Sequence, residues 1–282
     1  MNLPPRTDRH LLTVVAICYN HADNVARCLE SILCQKTDFP FKVIVADDCS
    51  TDGSQDVIRE YAAKDDRIVP ILREKNIRKN TTETLHHVDT QFFHIIETDD
   101  YWCDENKLQL QMDALRAHPE CIVCGHALEY RDHTGAVIEA HHGRHVKEGW
   151  RIDDLYSTQF LHRNTCLFRS DFLRSIPEVN PGILMRDIGF FYYALTLGKV
   201  YYIDRVMSVW RCTGKGVWSS LDDERRMAEL QESYFKLDRR LDFKFTRKFR
   251  HLYLPHEGKK LFSVSLPYFW KGRKLRFSLS KE

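Results

Sequence analysis

Between residues 11 and 118 the chain repeats one pattern: a short apolar run, a polar turn, and then apolar residues at helical spacing. The runs Leu11–Cys18, Lys42–Ala46, Ile68–Leu72 and Phe92–Glu97 have the length and composition of buried β-strands. Parallel strands need a crossover connection between them, which is usually a helix. The alternation therefore predicts an α/β fold in which helices flank a mostly parallel sheet.

The helices between these runs are predicted from apolar residues that recur every three or four positions. Either Asn20 or Asp23 is expected to cap the first helix. A later helical stretch covers Thr81–Val88. The next is expected to begin at the cap Asp104 and to end before Pro119.

After Cys121 the pattern becomes less regular. A helix is predicted over Asp187–Leu197, where Gly198 follows at the position that favours a helix end. Two strands, Val200–Ile203 and Val206–Arg211, are predicted beyond it. The second half of the sequence therefore indicates a continuation of the same domain with longer irregular connections.

The composition favours no class of highly charged partner. The 42 basic and 40 acidic residues nearly cancel, so no net field would attract nucleic acid. The longest apolar stretch, Leu11–Tyr19, is much shorter than the roughly 18 residues of a spanning helix, and no apolar signal core starts the chain. The nine scattered cysteines resemble no disulfide framework. We therefore expect a cytoplasmic protein with reduced thiols.

Polar residues follow each predicted strand: Tyr19 and Asn20, Asp47 and Asp48, Asn76, and Asp99 and Asp100. In open α/β sheets, ligands bind beyond the carboxyl ends of the strands. Magnesium and manganese prefer hard oxygen ligands, and such a cation stabilises a departing diphosphate without a proton transfer. These positions predict a nucleotide and metal site. The alternative is that the acidic pair only begins a turn.

Three segments match motifs of a known enzyme family: Ala16–Asn20, Asp47–Ser54 and Glu97–Trp102. With the spacing between them, the chain resembles a family 2 glycosyltransferase with the GT-A fold. The likeness covers about residues 10–220 and is strongest up to about residue 125. It implies an inverting, metal-dependent enzyme that moves a sugar from a nucleotide-diphosphate sugar to an acceptor hydroxyl.

The resemblance also implies which residues form the nucleotide site: Ile17, Tyr19, Asn20, Asp48 and Asp99. Within this set, Asp48 would accept hydrogen bonds from the base and Asp99 would lie near the ribose. Asp100 would bind Mn²⁺ or Mg²⁺.

The same resemblance places the catalytic base at Asp187, at the start of a helix in the second half. This carboxylate would take the proton of the acceptor hydroxyl on the face opposite the leaving group. Its alternative role is to stabilise the helix N-terminus through the helix dipole. Further contacts to sugar, acceptor or phosphate are implied at Arg163, Asn164, Arg211, Lys215 and Trp218.

The chain departs from the family pattern at two places near the nucleotide loop. Ile17 and Cys18 stand where relatives often have Pro-Thr or Thr-Ser, which removes a hydroxyl that could contact the base. Cys49 stands where relatives often have Gly. The identity of the base is therefore less well defined than the class of donor.

The resemblance gives a glycosyltransferase domain at residues 1–220, with a nucleotide-binding half at 10–125 and an acceptor and catalytic half at 126–220. The expected donor is a nucleotide-sugar, with UDP-sugars first, and the expected acceptor is a glycan or a lipid-linked glycan of surface polysaccharide or other glycan synthesis. Residues 221–282 are rich in aromatic and basic residues and are expected to form a helical extension. It either contacts the inner face of the membrane or packs on the domain.

Two other functions are compatible with parts of this pattern. A glycosyltransferase-like domain without catalysis would bind a nucleotide or a protein, but it would have no chemical need for both the acidic pair and Asp187. A nucleotidyltransferase would usually carry a glycine-rich loop after its first strand, and residues 19–23 contain no glycine. Both alternatives rank below sugar transfer.

Overall fold

The structure is a computed structural model that describes most of the chain up to Cys212. The described residues are 4–6, 9–77, 80–143, 149, 161–175, 190–191, 194, 197–212, 222, 225, 228, 232 and 239. Contacts between residues divide the chain into two compact units, Met1–Cys212 and Thr213–Glu282. All the elements below belong to the first unit. The predicted division at residues 220 and 221 stays a prediction.

The strands of the described residues are, in chain order, β1 (Leu12–Cys18), β2 (Phe41–Asp47), β3 (Ile68–Leu72), β4 (Phe92–Glu97), β5 (Tyr101–Trp102), β6 (Cys121–Asp132), β7 (Val137–His142), β8 (Leu167–Arg169) and β9 (Lys199–Cys212). The helices with complete bounds are α1 (Ala22–Leu33), α2 (Ser54–Lys64), α3 (Asn80–Leu85), α4 (Lys107–Ala117) and α5 (Asp171–Ser175). A 3₁₀ turn covers Arg163–Thr165.

Strand β1 lies at the centre of the parallel half of the sheet. It pairs in parallel with β2 on one side and with β4 on the other, and β3 pairs in parallel with β2. The full order is β3-β2-β1-β4-β8-β6-β9-β5, with β7 paired to β6. Beyond β4 the sheet is mixed, because β8 is antiparallel to both of its neighbours whereas β9 is parallel to β6. The predicted α/β class is confirmed.

The burial of β1 shows why its sequence is apolar without alternation. Successive side chains of a strand point to opposite faces of the sheet, and both Val14 and Val15 are fully buried. Both faces at this point are therefore covered. Helix α1 contributes its buried residues to the same core: Val25, Cys28, Leu29 and Ile32.

Several predicted boundaries and caps are wrong. Helix α4 begins at Lys107, so Asp104 is not its cap; the Asp104 carboxylate instead accepts a hydrogen bond from the Asn106 amide in the turn before the helix. Helix α1 begins at Ala22 and is capped by neither Asn20 nor Asp23. Helix α3 ends three residues before the predicted Val88.

The two strands predicted around residues 204 and 205 form one strand, β9, in the structure. Its register against β6 shifts between the pairs His126–Ile203 and Ala127–Val206. A bulge absorbs the two polar residues, so the ladder continues on both sides of them. Polar composition alone therefore predicted a break where the strand only bends.

No helix among the described residues has the length and apolar character needed to cross a membrane.

Four phenylalanines fix the junction of β4, β8 and α5: Phe93, Phe168, Phe172 and Phe190. All four are fully buried. The ring centroids of Phe93 and Phe168 lie 5.1 Å apart, and Phe190 meets Phe168 edge-on at 4.9 Å. Offset and edge-on ring pairs add to the stabilisation that burial gives.

We predict that Phe93→Ala lowers the free energy of unfolding by about 3–5 kcal/mol, because it leaves a cavity among three other rings. The control is Val69→Ala on β3, an exposed residue whose truncation should cost less than about 1 kcal/mol. Urea denaturation measures both changes. Equal losses in the two variants would contradict a central role for the ring cluster.

Candidate active site

The carboxyl ends of β1, β2 and β4 meet at one edge of the sheet. The Asp48 amide donates to the Cys18 carbonyl at 3.0 Å, and the Thr98 amide donates to the Ile17 carbonyl at 2.9 Å. These bonds place the Asp47–Asp48 loop and the Thr98–Asp100 turn on either side of β1. Along β1, Ile17 is the one residue that is not fully enclosed. The predicted site residues of the first half therefore come together.

Asp47 ends β2 and Asp48 follows it; both are buried, but their carboxylates have different hydrogen-bond partners. The Asp47 carboxylate is fully buried and accepts hydrogen bonds from the Ser50 amide at 2.8 Å and from Gln55 Nε2 at 2.7 Å. It therefore shapes the loop from within. Asp48 accepts from the Ile77 amide at 2.9 Å, so the chain after β3 holds the carboxylate proposed to read the base.

The Asp47–Ser54 loop is hydrogen-bonded to the turn after β1. Asn20 Oδ1 accepts from the Thr51 amide at 2.9 Å, and the Asn20 amide donates to Ser50 Oγ at 2.8 Å. Asn20 has a φ of 56°, a left-handed conformation that asparagine tolerates. The side-chain oxygen and the backbone N–H of Asn20 thus both hold the loop. The neighbouring Tyr19 side chain is exposed at the edge of the site.

Asp52 in this loop supplies the cap that helix α1 lacks in its own sequence. Its carboxylate accepts from the Ala22 amide at 2.9 Å and from the Ser54 amide at 3.0 Å. Partial burial acts to raise the pKa of Asp52, but the hydrogen bonds from Ala22 and Ser54 outweigh it and hold the pKa below its usual value. The loop and the start of α1 are therefore one structural unit.

The acidic pair after β4 divides into an accessible and an enclosed carboxylate. The Asp99 side chain is 15% exposed, whereas Asp100 as a residue is 2% exposed. Asp100 Oδ1 accepts from the Arg211 amide at 2.9 Å and Oδ2 accepts from Asn164 Nδ2 at 3.2 Å. Burial, followed by the negative charge of Asp99, raises the pKa of Asp100 well above its usual value.

His21 is a site residue that the sequence reasoning missed. Its Nδ1 lies 2.9 Å from Thr98 Oγ1, and its Nε2 lies 3.8 Å from Asp99 Oδ2. It therefore joins the start of α1 to the acidic turn. A histidine directly after Tyr19 and Asn20 was the available signal, but nothing in the sequence places residue 21 beside residue 98.

Two residues of the 3₁₀ turn approach the acidic turn from the second half of the unit. Arg163 forms an ion pair with Glu97 at 3.0 Å. Asn164 is buried; its Nδ2 donates to Asp100 and also to the Val209 carbonyl at 3.2 Å, and its Oδ1 accepts from Trp102 Nε1 at 3.1 Å. Asn164 therefore lies beneath Asp100 rather than on an open pocket wall.

Arg211 also lies at the acidic turn. Besides its backbone bond to Asp100, its guanidinium donates to Asn24 Oδ1 in the first turn of α1. Three other predicted site residues lie outside the described residues: Asp187, Lys215 and Trp218.

The acidic turn has the donor chemistry that a divalent cation needs. Two carboxylates lie next to each other, and no arginine or lysine side chain among the described residues hydrogen-bonds Asp100. Carboxylate oxygens suit Mg²⁺ and Mn²⁺, and a cation here would offset the repulsion that raises the Asp100 pKa. The described residues contain no group of three metal-binding side chains.

Cys49, in the Asp47–Ser54 loop, has a φ of 67°. A residue with a Cβ is strained in this left-handed conformation, which glycine adopts without penalty. The thiol lies 3.3 Å from the Glu74 carbonyl. The position that relatives often give to glycine therefore has the backbone geometry of a glycine here as well.

Comparisons with known proteins identify the family of the chain. The chain matches the family model described as "Glycosyl transferase family 2" over residues 13–176, more than half of its length. It is 29% identical over 218 residues to Rv1520 of Mycobacterium tuberculosis, covering 76% of this chain and 62% of that protein. It is also 29% identical over 107 residues to TuaG of Bacillus subtilis, covering 36% of this chain and 41% of TuaG. The name of TuaG refers to teichuronic acid biosynthesis.

Solved structures show the same fold. A mannosyltransferase from Pyrobaculum calidifontis, in complex with GDP-Man and Mn²⁺, has a TM-score of 0.60 at 18% identity, covering 84% of this chain and 67% of that chain. TarS from S. aureus, in complex with UDP-GlcNAc, has a TM-score of 0.58 at 17% identity, covering 88% of this chain and 77% of that chain. The predicted GT-A fold is confirmed.

The strain at Cys49 generates a stability prediction. Cys49→Gly should be about 0.5–1 kcal/mol more stable than Cys49→Ala, because both lose the thiol but only glycine relieves the positive φ, and its larger entropy when unfolded offsets part of the gain. Chemical denaturation of the two variants measures the difference. An alanine variant as stable as the glycine variant would show that the loop carries no strain.

Proposed function

The chain belongs to glycosyl transferase family 2, and we propose that it transfers a sugar from a nucleotide-diphosphate sugar to an acceptor hydroxyl with inversion at the anomeric carbon. The observation that carries this proposal is the meeting of Asp48, Asp99 and Asp100 at the carboxyl ends of three neighbouring strands. In sheets of this type that edge binds the ligand. A nucleotide bound at this edge would have Asp48 near its base and the Asp99–Asp100 pair near its diphosphate.

Asp48 is proposed to select the base. Two hydrogen bonds fix its position after β2: its backbone amide donates to the Cys18 carbonyl, and its side-chain carboxylate accepts from the Ile77 amide. A carboxylate oxygen can accept from the N–H groups of a base. The exposed ring of Tyr19 lies at the end of β1 on the same edge and would contact the nucleoside.

A divalent cation bound at the acidic turn would supply charge stabilisation for the departing diphosphate. We assign its protein ligand to Asp99, because phosphate and water must reach the same cation and Asp99 is the more accessible of the pair. This assignment differs from the sequence expectation, which gave the cation to Asp100. Asp100 instead fixes the turn through Asn164 and the Arg211 amide.

The donor and acceptor follow from family and relatives. A UDP-sugar is the proposed donor, and the Pyrobaculum relative with GDP-Man makes GDP the first alternative to test. The likeness to TuaG supports an acceptor in surface polysaccharide synthesis. The chain spans about three fifths of the length of Rv1520. The donor and the acceptor are therefore proposed for this chain and not transferred from the longer relative.

Thermal unfolding tests the proposed binding of nucleotide and metal. UDP with Mn²⁺ should raise the unfolding temperature of the wild type, since ligand at 100 times its Kd contributes about 2.7 kcal/mol. Asp99→Asn should abolish the part of the shift that depends on Mn²⁺. Asp113→Asn, an exposed aspartate on α4, is the matched control and should behave as wild type. A panel of UDP, GDP, dTDP and CDP without any metal-dependent shift would rule out the proposal.

The second prediction concerns the chemical step. Asp187→Asn should keep the shift with UDP and Mn²⁺ but lower transfer by about 10²–10⁴-fold, because it removes the proposed base. Release of UDP from UDP-sugars in the presence of acceptor oligosaccharides measures turnover. Undiminished turnover would exclude Asp187 as the base. Binding without turnover in the wild type, across donors, would favour the non-catalytic alternative.

A further inference from the structure

Lys107, the first residue of α4, is fully buried, which is rare for a lysine. Its Nζ lies 2.6 Å from His94 Nε2 on β4 and donates to Gln111 Oε1 at 2.8 Å. It also lies 4.2 Å from the centroid of the Trp102 ring. An ammonium has three N–H donors, and here an imidazole, an amide oxygen and an indole ring surround it.

Burying the Lys107 amine costs desolvation free energy, which a purely structural contact would not require. No carboxylate among the described residues pairs with the Lys107 ammonium. Burial lowers the pKa of Lys107, and burial together with the nearby lysine charge lowers the pKa of His94. A methionine would fill the same space without the desolvation penalty of a polar head.

The ammonium connects to the acidic turn through Trp102. This residue follows Asp100 by two positions, and its ring is held by Lys107 on one side and by the edge-on His94 ring at 4.8 Å. Trp102 Nε1 donates to Asn164 Oδ1, which orients the amide so that Nδ2 faces Asp100. The indole thus holds the Oδ1 side of the Asn164 amide, while the Val209 carbonyl accepts from its Nδ2.

Gln111 closes the network from the other side. Its Nε2 donates to the Thr165 carbonyl at 2.8 Å and to the Cys124 carbonyl at 2.7 Å, while its Oε1 accepts from Lys107. Thr165 is the residue after Asn164. Lys107 therefore reaches Asn164 by two routes, one through an indole and one through the backbone of the 3₁₀ turn.

We propose that Lys107 is a positioning residue for the acidic turn: its ammonium fixes Trp102, Trp102 fixes Asn164, and Asn164 holds Asp100 so that Asp99 can bind the cation. The proposal rests on the proposed function and adds a residue to it that touches neither substrate nor cation. Residues of this kind orient the groups that bind a metal, and their removal typically lowers the metal affinity by about 10–100-fold.

The test uses the full chain and Mn²⁺ titrations followed by electron paramagnetic resonance, in the presence of UDP. Lys107→Met keeps the volume but loses all three donors, and it should weaken Mn²⁺ binding about tenfold or more. Trp102→Phe keeps an aromatic ring at this position but removes the hydrogen bond to Asn164, and it should also weaken Mn²⁺ binding. Lys64→Met, an exposed lysine on α2, should bind Mn²⁺ as wild type does.

UDP affinity without metal separates positioning from general loss of packing, because Asp48 lies outside this network. The affinity for UDP without metal should stay within about twofold of wild type in both variants. A folded Lys107→Met that binds Mn²⁺ normally overturns the proposal, as does an equal loss of metal-free UDP binding. If Lys107→Met does not fold, normal Mn²⁺ binding by Trp102→Phe overturns it. A wild type that binds no Mn²⁺ removes the proposed function and this inference together.

Discussion

The parallel pairing of β1 with both β2 and β4 is the constraint on which the candidate site depends. Parallel neighbours end at the same edge of a sheet, so segments separated by about thirty and eighty residues along the chain become adjacent there. The pairing is possible because β1 is apolar on both faces and is covered on both faces. A polar residue in the middle of β1 would disturb the core first and the site as a consequence.

The aspartate carboxylates at this edge differ in their burial. Asp47 and Asp100 are enclosed and use their oxygens to hold backbone amides and the Asn164 side chain, whereas the neighbouring Asp99 remains accessible. An enclosed carboxylate is costly unless it is hydrogen-bonded, and both of these are. At the turn after β4, Asp100 therefore shapes the backbone that presents Asp99.

The sequence predicted the strands well because a buried parallel strand has a continuous apolar run, and β3 and β4 have the predicted bounds. It predicted helix starts poorly, because the cap of α1 is Asp52, thirty residues away, and no local pattern contains it. The same limit applies to His21 and to Asn164, whose partners are distant in sequence. Lys107 was the least predictable, since a lysine on an amphipathic helix normally faces solvent.

The cap that Asp52 gives to α1 links the stability of two segments that would otherwise open independently. Helix α1 cannot keep its first amide bonded once the Asp47–Ser54 loop opens, and the loop loses an anchor when the helix frays. Such segments exchange their amide hydrogens as one cooperative unit. A nucleotide that orders the loop would therefore slow exchange along the first turns of α1, on residues that the nucleotide itself does not touch.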